Sequence, residues 1–118
     1  MPELTVYEKP TCTTCRKLAM LLTERGIDFE RVNYHVDPLP ADRIRELLAK
    51  AEMRPHDALR RKEPAYAELG LGEREVNDDE LIELMAERPE LLQRPIVEYG
   101  DRAVLARPPE RVLDLLDG

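Results

Sequence analysis

The sequence lacks tryptophan, has a single phenylalanine and contains only two cysteines among its 118 residues. Two cysteines are too few for the disulfide framework of a small secreted protein. Long apolar runs are absent as well, and none approaches the roughly 18 residues that a membrane-spanning helix needs. The N-terminus has neither the basic stretch nor the apolar stretch of a signal peptide. We therefore expect a cytoplasmic protein.

Basic residues are outnumbered by acidic ones. The chain has 18 lysines and arginines against 25 aspartates and glutamates, which gives a formal net charge of −7. A net acidic chain lacks the broad basic surface of a nucleic-acid-binding protein. It also has no charge that would draw it to an anionic membrane surface. We expect neither nucleic acid nor a membrane among its partners.

The length and the apolar content of the chain fit one folded unit. A typical domain has about 100–200 residues, so residues 1–118 are expected to form a single domain. The apolar fraction of 42% is that of a globular protein rather than a disordered one. The sequence shows no internal repeat and no low-complexity stretch.

Hydrophobic periodicity predicts an α/β fold with a mixed sheet of about four strands and a helical insertion. A strand, a helix and a second strand open the chain, which implies a parallel pair with a right-handed crossover. Near the end, Gly100 and Asp101 form a turn typical of a two-residue β-hairpin. The predicted elements are a strand at 4–7 stopped at Pro10, a helix at 15–25, a strand at 27–34, a helix around 44–51, a short helix at 65–69, a helix that begins at the Asn77–Glu80 capping box, hairpin strands at 96–99 and 103–105, and a helix through 112–116.

The two cysteines lie where the first strand gives way to the first helix. The N–H groups of a helix's first turn have no partner within the helix, and the helix dipole places a partial positive charge there. A thiolate is stabilised at such a position, and Arg16 and Lys17 add nearby positive charge. Cys12 is predicted to be the exposed nucleophile, and Cys15, one turn further, the resolving thiol. Their spacing is close to that of a disulfide.

Two other interpretations of the cysteines are open. One is half of a zinc site completed by His35 and His56, but these histidines lack the spacing of a zinc finger and no second cysteine pair exists. The other is a pair of inert, buried thiols. A C-x-x-C sequence inside a strand–helix–strand pattern favours redox chemistry over both. We expect no metal site, and we expect both histidines to be surface residues.

Three arginines near the ends of predicted elements, Arg60, Arg94 and Arg107, suit the binding of a tetrahedral oxyanion. Guanidinium groups bind such oxygens in pairs and do not lose their proton. Beside a helix N-terminus they would form an anion site in an otherwise acidic protein. Taken singly, each is as well explained as a solvated surface charge, and composition does not select these three from the other arginines.

The sequence resembles the arsenate reductase family that includes the Spx regulators. The resemblance spans nearly the whole chain, and the cysteine segment and the RPIV segment at 94–97 are its most specific parts. The matching segments are VYEKPTCTTCRK at 6–17, LRRK at 59–62, ELGL at 68–71, NDDELI at 77–82, RPELLQRPIV at 88–97, LARP at 105–108 and VLD at 112–114.

The resemblance implies a thioredoxin-like fold with a helical insertion and an arsenate reductase activity. Cys12 would attack arsenate, which Arg60, Arg94 and Arg107 would hold. Pro95 would correspond to the cis-proline beside the active site of thioredoxin-like proteins. No cofactor would be bound, because electrons would come from an external thiol reductant, either thioredoxin or glutathione with glutaredoxin.

Two positions depart from the reductase pattern. Glu8 stands where the reductases often have histidine, and a carboxylate near Cys12 would raise the pKa of that thiol. Cys15 stands where they typically have serine. A Cys12–Cys15 disulfide that thioredoxin reduces then becomes an alternative to glutaredoxin coupling.

The cysteine pair leaves two alternative functions open. It is a feature of the Spx branch, which suggests a redox-sensing regulator that binds a protein partner such as RNA polymerase. It would also suit a general thiol–disulfide oxidoreductase with no oxyanion substrate. The presence of both Arg60 and Arg107 favours the reductase over the regulator.

Overall fold

The computed structural model describes residues 4–9 and 11–117. Pro10, the predicted end of the first strand, lies outside the described residues. Three short 3₁₀ turns accompany the regular elements, at Pro55–Ala58, Pro89–Leu91 and Pro109–Arg111. In chain order the strands and helices are β1 (Leu4–Glu8), α1 (Thr13–Glu24), β2 (Glu30–Asn33), α2 (Ala41–Lys50), α3 (Pro64–Glu68), α4 (Asp78–Glu87), β3 (Ile96–Tyr99), β4 (Arg102–Leu105) and α5 (Val112–Asp117).

The four strands form one mixed sheet in the order β2-β1-β3-β4. β1 runs parallel to β2 and antiparallel to β3, and β3 and β4 form the antiparallel hairpin. Gly100 in the hairpin turn has a φ of 62°, which residues with a β-carbon rarely adopt. The predicted α/β architecture and its mixed sheet are confirmed.

Helix α1 packs on one face of the sheet and brings its N-terminus to the end of β1. Leu4 and Val6 of β1 share a buried cluster with Leu18 and Leu22 of α1. The helix begins at Thr13, two residues before its predicted start, because the Cys12 side chain caps it. A sulfur acceptor at the cap position was not part of the sequence pattern, which places serine, threonine, aspartate or asparagine there.

The helical insertion covers the opposite face of the sheet. Three buried residues of α2, at 44, 47 and 48, pack in one cluster with Tyr7 of β1 and Ile96 of β3. The predicted strand at 27–34 shrinks to Glu30–Asn33 because Ile27 and Phe29 pack against the α1 cluster instead of joining the sheet. β2 is an edge strand, so its side chains remain half exposed.

Asn77 caps α4 as the sequence predicts, and its loss should destabilise the protein. The Asn77 Oδ1 accepts the backbone N–H of Glu80 at 2.8 Å. We expect Asn77→Ala to lower the free energy of unfolding by about 1 kcal/mol, because that N–H loses its acceptor. Urea denaturation measures the change. Glu80→Gln keeps the capped N–H and should shift stability by less than about 0.5 kcal/mol. Equal losses in the two variants would contradict this role for Asn77.

Candidate active site

Cys12 occupies the N-terminal cap of α1 and is partly buried. Its sulfur accepts the backbone N–H of Cys15 at 3.4 Å, and the Cys12 N–H donates to the Lys9 carbonyl at 2.9 Å. Burial acts to raise the pKa of Cys12, but hydrogen bonds from Cys15 and the charge of Arg94 outweigh it and leave that pKa lowered. The thiolate is therefore favoured at the cap, where the helix dipole also stabilises it. The cation responsible is Arg94 rather than the predicted Arg16 or Lys17, both of which are exposed.

Cys15 has the opposite environment, since its side chain is 0% exposed. Burial, a hydrogen bond with Cys12 and the negative charges of Cys12 and Glu8 raise the pKa of Cys15 to about 12. The pair is therefore divided into a partly accessible, thiolate-forming Cys12 and an enclosed, protonated Cys15. Both are free thiols in this structure.

The sequence predicted that Glu8, if close to Cys12, would raise the pKa of that thiol, but Glu8 is not among the groups that chiefly shift it. Glu8 is 1% exposed, and one of its oxygens accepts from the Arg31 guanidinium. Its charge acts on Cys15 instead. The alternation of side chains along β1 places Glu8 on the α1 face, beneath the buried side of that helix.

Arg94 is a buried cation with two unused donors. Arg94 is only 7% exposed, and its Nε and Nη1 atoms have no hydrogen-bond partner among the described residues. The carboxylate of Glu63 lies 3.9 Å from Nη2. The Arg94–Pro95 peptide bond is cis. Buried donors without partners are rare in folded proteins, so the free nitrogens of Arg94 point to a ligand that accepts hydrogen bonds.

Arg60 and Arg107 line a polar cavity of about 490 Å³ together with Arg61, Lys62 and Gln93. Arg107 is exposed, and its Nη1 donates to the Arg94 carbonyl at 3.0 Å. Arg60 donates to Glu63 and to Gln93, at 3.1 Å in each case. The structure thus links both arginines to Arg94, directly or through Glu63, while Cys12 is not among the described residues that line the cavity.

Sequence reasoning missed the surroundings of Arg94. Tyr34 is buried, donates to the Leu92 carbonyl at 2.7 Å, and packs against His35 with 4.8 Å between ring centroids. Burial and the positive charge of Arg94 lower the pKa of His35, so this imidazole is neutral near pH 7. The prediction that His35 is a surface residue holds only in part, because the residue is half-buried and its Nε2 has no hydrogen-bond partner among the described residues. The position of His35 two residues after the end of β2 could have indicated this environment, since parallel strands end at the same edge of the sheet.

Across residues 4–9 and 11–117, no three side chains of histidine, cysteine, aspartate or glutamate are placed to hold a metal ion. Within the same residues, no helix has the length and the apolar character needed to cross a membrane.

The divided environments of the cysteines predict selective alkylation. We expect iodoacetamide to modify Cys12 at neutral pH while Cys15 stays unmodified, because only the thiolate reacts. The rate at Cys12 should rise with pH through a midpoint below the ordinary thiol pKa, since the folded protein lowers that pKa. Peptide mass mapping across a pH series measures both. Equal labelling of the two cysteines at neutral pH would contradict the assignment.

Comparisons with known proteins agree on one family. A profile of the ArsC family matches residues 7–115, which include both cysteines and all three arginines. The chain is 35% identical to the uncharacterized protein YfgD of Escherichia coli K12, over 97% of both chains. It is 35% identical to an arsenate reductase of Rhizobium meliloti, over 96% of this chain and 81% of the other. The solved structure of an arsenate reductase from Vibrio cholerae superposes with a TM-score of 0.89 at 33% identity, over 94% and 95% of the two chains.

Proposed function

Because this chain belongs to the ArsC family and has the thioredoxin-like fold, we propose that it reduces arsenate to arsenite. The observation that carries the proposal is a thiolate-forming Cys12 close enough to the buried Arg94 for that charge to lower its pKa. A nucleophile and a cation with unused donors are the two things that attack on a tetrahedral oxyanion requires.

The charges of the site suit the substrate. Arsenate, like a phosphate monoester, carries about two negative charges near neutral pH. Arg94 supplies a guanidinium with two free nitrogens, and Arg60 and Arg107 would add charge from the adjoining cavity. Arg60 is paired with Glu63 in this structure. We propose that arsenate takes the place of that carboxylate on Arg60.

The proposed reaction has two covalent steps. The Cys12 thiolate attacks arsenic(V), and an arsenate oxygen leaves as water once it has been protonated. Cys15 then attacks the Cys12 sulfur, the sulfur–arsenic bond breaks, and its electron pair stays on arsenic. Arsenite, containing arsenic(III), is released, and a Cys12–Cys15 disulfide remains. Two thiols are oxidised as arsenic gains two electrons.

The presence of a resolving thiol favours thioredoxin as the reductant. A disulfide between Cys12 and Cys15 is a substrate for a dithiol protein such as thioredoxin, which would restore both thiols. A route through glutathione and glutaredoxin would not require Cys15. The buried position of Cys15 directly beneath the cap supports the disulfide route.

Arsenate-dependent oxidation of NADPH tests this function. The assay would use the thioredoxin couple and the glutaredoxin couple side by side, with phosphate as a control anion of the same shape that thiols do not reduce. We expect turnover with arsenate, competition by phosphate, and faster turnover with thioredoxin. Failure of both couples would overturn the reductase. Reduction of a model disulfide substrate by the same protein would then favour a general thiol–disulfide oxidoreductase.

A further inference from the structure

A buried carboxylate lies beneath the resolving thiol. Leu4, Val6 and Glu8 alternate along β1 and therefore point to the same face of the sheet. Leu4 and Val6 pack against Leu18 of α1 on that face. Cys15 precedes Leu18 by three residues, so it lies on the same buried stripe of the helix. Glu8, at the end of the strand, thus lies under Cys15, at the start of the helix.

Only one of the two Glu8 carboxylate oxygens accepts a hydrogen bond from the described residues. Arg31 donates to Oε1, while Oε2 is buried and has no partner among the described residues. A buried acceptor without a partner destabilises the folded protein, and a charged one does so more strongly. The negative charge of Glu8 acts on the Cys15 thiol and contributes to its raised pKa. An unused carboxylate oxygen is therefore held close to a buried thiol.

Cys15 cannot attack until it loses a proton, and its surroundings oppose that loss. With a pKa of about 12, Cys15 is almost entirely protonated at pH 7. The side chain is 0% exposed, so solvent has no direct access to the proton. An acceptor inside the protein is needed.

We propose that Glu8 Oε2 accepts the proton of Cys15 as Cys15 attacks the Cys12 sulfur. The S–H bond of Cys15 breaks, the sulfur–sulfur bond forms, and the bond from Cys12 to its leaving group breaks with its electron pair on that group. When a reductant later opens the disulfide, Glu8 returns the proton to the departing Cys15 sulfur. In the proposed function the leaving group is arsenite. Only this identity of the leaving group rests on the proposed function; the proton transfer to Glu8 does not.

Ellman's reagent tests the proton transfer without arsenate. Cys12 attacks the reagent and releases one thionitrobenzoate, and Cys15 then displaces the second from Cys12. We expect Glu8→Gln to slow the second release about 10²-fold, since general-base catalysis contributes about that much. The first release should change by less than about threefold, because Glu8 does not take part in the attack by Cys12.

The alternative role for Glu8 predicts a change of the opposite sign. If Glu8 contributed only its negative charge, Glu8→Gln would lower the pKa of Cys15 and would accelerate the second release. A second release that is unchanged or faster would overturn the proposal. The pH profile separates the roles further. Arg31 and Cys15 are the charged or titratable groups that face Glu8. The rate of the second release should be nearly independent of pH in the parent protein, whereas in Glu8→Gln it should rise about tenfold per pH unit as hydroxide takes over.

Two variants control for folding. Glu98 is the other buried carboxylate of the sheet, on the opposite face, where it is paired with Arg43 and Lys50. We expect Glu98→Gln to leave both releases unchanged even if it lowers the melting temperature. Glu8→Asp keeps a carboxylate at a longer reach and should slow the second release about tenfold while keeping the flat pH profile. A Glu8→Asp protein as slow and as pH-dependent as Glu8→Gln would also overturn the proposal. If the protein did not turn over arsenate but both releases of thionitrobenzoate behaved as expected, the proposed arsenate reductase activity would be refuted and the role of Glu8 would stand.

Discussion

Cys12→Ser is expected to lower kcat/KM for arsenate by at least about 10³-fold. A serine hydroxyl at the cap would still accept the helix N–H, so the fold would be retained. It would not ionise near neutral pH, because the stabilisation that lowers the pKa of a thiol is far too small to ionise an alcohol. Thioredoxin-coupled or glutaredoxin-coupled NADPH oxidation measures the loss.

Cys15→Ser is the matched control for that result. It should keep the attack by Cys12 on arsenate and stop the reaction before the internal disulfide forms. Addition of glutathione should then restore part of the turnover, because an external thiol can replace Cys15. If Cys12→Ser retained substantial turnover, or if only Cys15→Ser abolished it, the assignment of the nucleophile would be wrong.

Arg94→Met is expected to lower kcat/KM for arsenate by about 10²–10³-fold, the loss typical of one donor to a developing oxyanion. The same change should raise the pKa of Cys12, because the arginine charge that lowers it would be gone. In contrast to the activity, the stability of the protein should increase. Removing a buried cation whose Nε and Nη1 have no partners should raise the free energy of unfolding by about 1 kcal/mol.

Arg88→Met provides the control for Arg94→Met. Arg88 is half exposed and pairs with Glu68 and Glu90, so its removal should change the free energy of unfolding only slightly. Arsenate turnover should be unaffected. An Arg94→Met protein that is less stable than the parent and equally active would show that Arg94 supports the fold rather than binding the anion.

Much of the fold could be predicted because its signals are local. The apolar spacing of α2, the Asn77 cap and the Gly100 turn each act over a few residues, and all three are present in the structure. The shortened β2 could not be predicted in this way. Its boundary depends on Ile27 and Phe29 packing against α1, which is a tertiary contact. Local propensity yields to burial at such positions.

In the candidate site too, the features that depend on local sequence could be predicted and those that depend on tertiary structure could not. The position of the cysteine pair at the start of a helix was enough to predict a reactive Cys12, whereas the three arginines were selected only by family resemblance. The positions of Glu8 and His35 relative to each other depend on strand register. Glu8 is aligned with Asn33 across the parallel pair β1–β2, so His35 follows at the same edge of the sheet as the active site. No spacing within the sequence indicates that alignment.

The proposed reaction requires that the two cysteines of one chain together reduce arsenate. This is tested by mixing the fully reduced protein with arsenate, without any external thiol, and by quantifying arsenite and free cysteine in the quenched sample. We expect about one arsenite per chain, with Cys12 and Cys15 joined in a disulfide that peptide mapping identifies. No arsenite, with both thiols still free, would contradict it. Arsenite that formed only after glutathione was added would likewise exclude Cys15 as the second thiol.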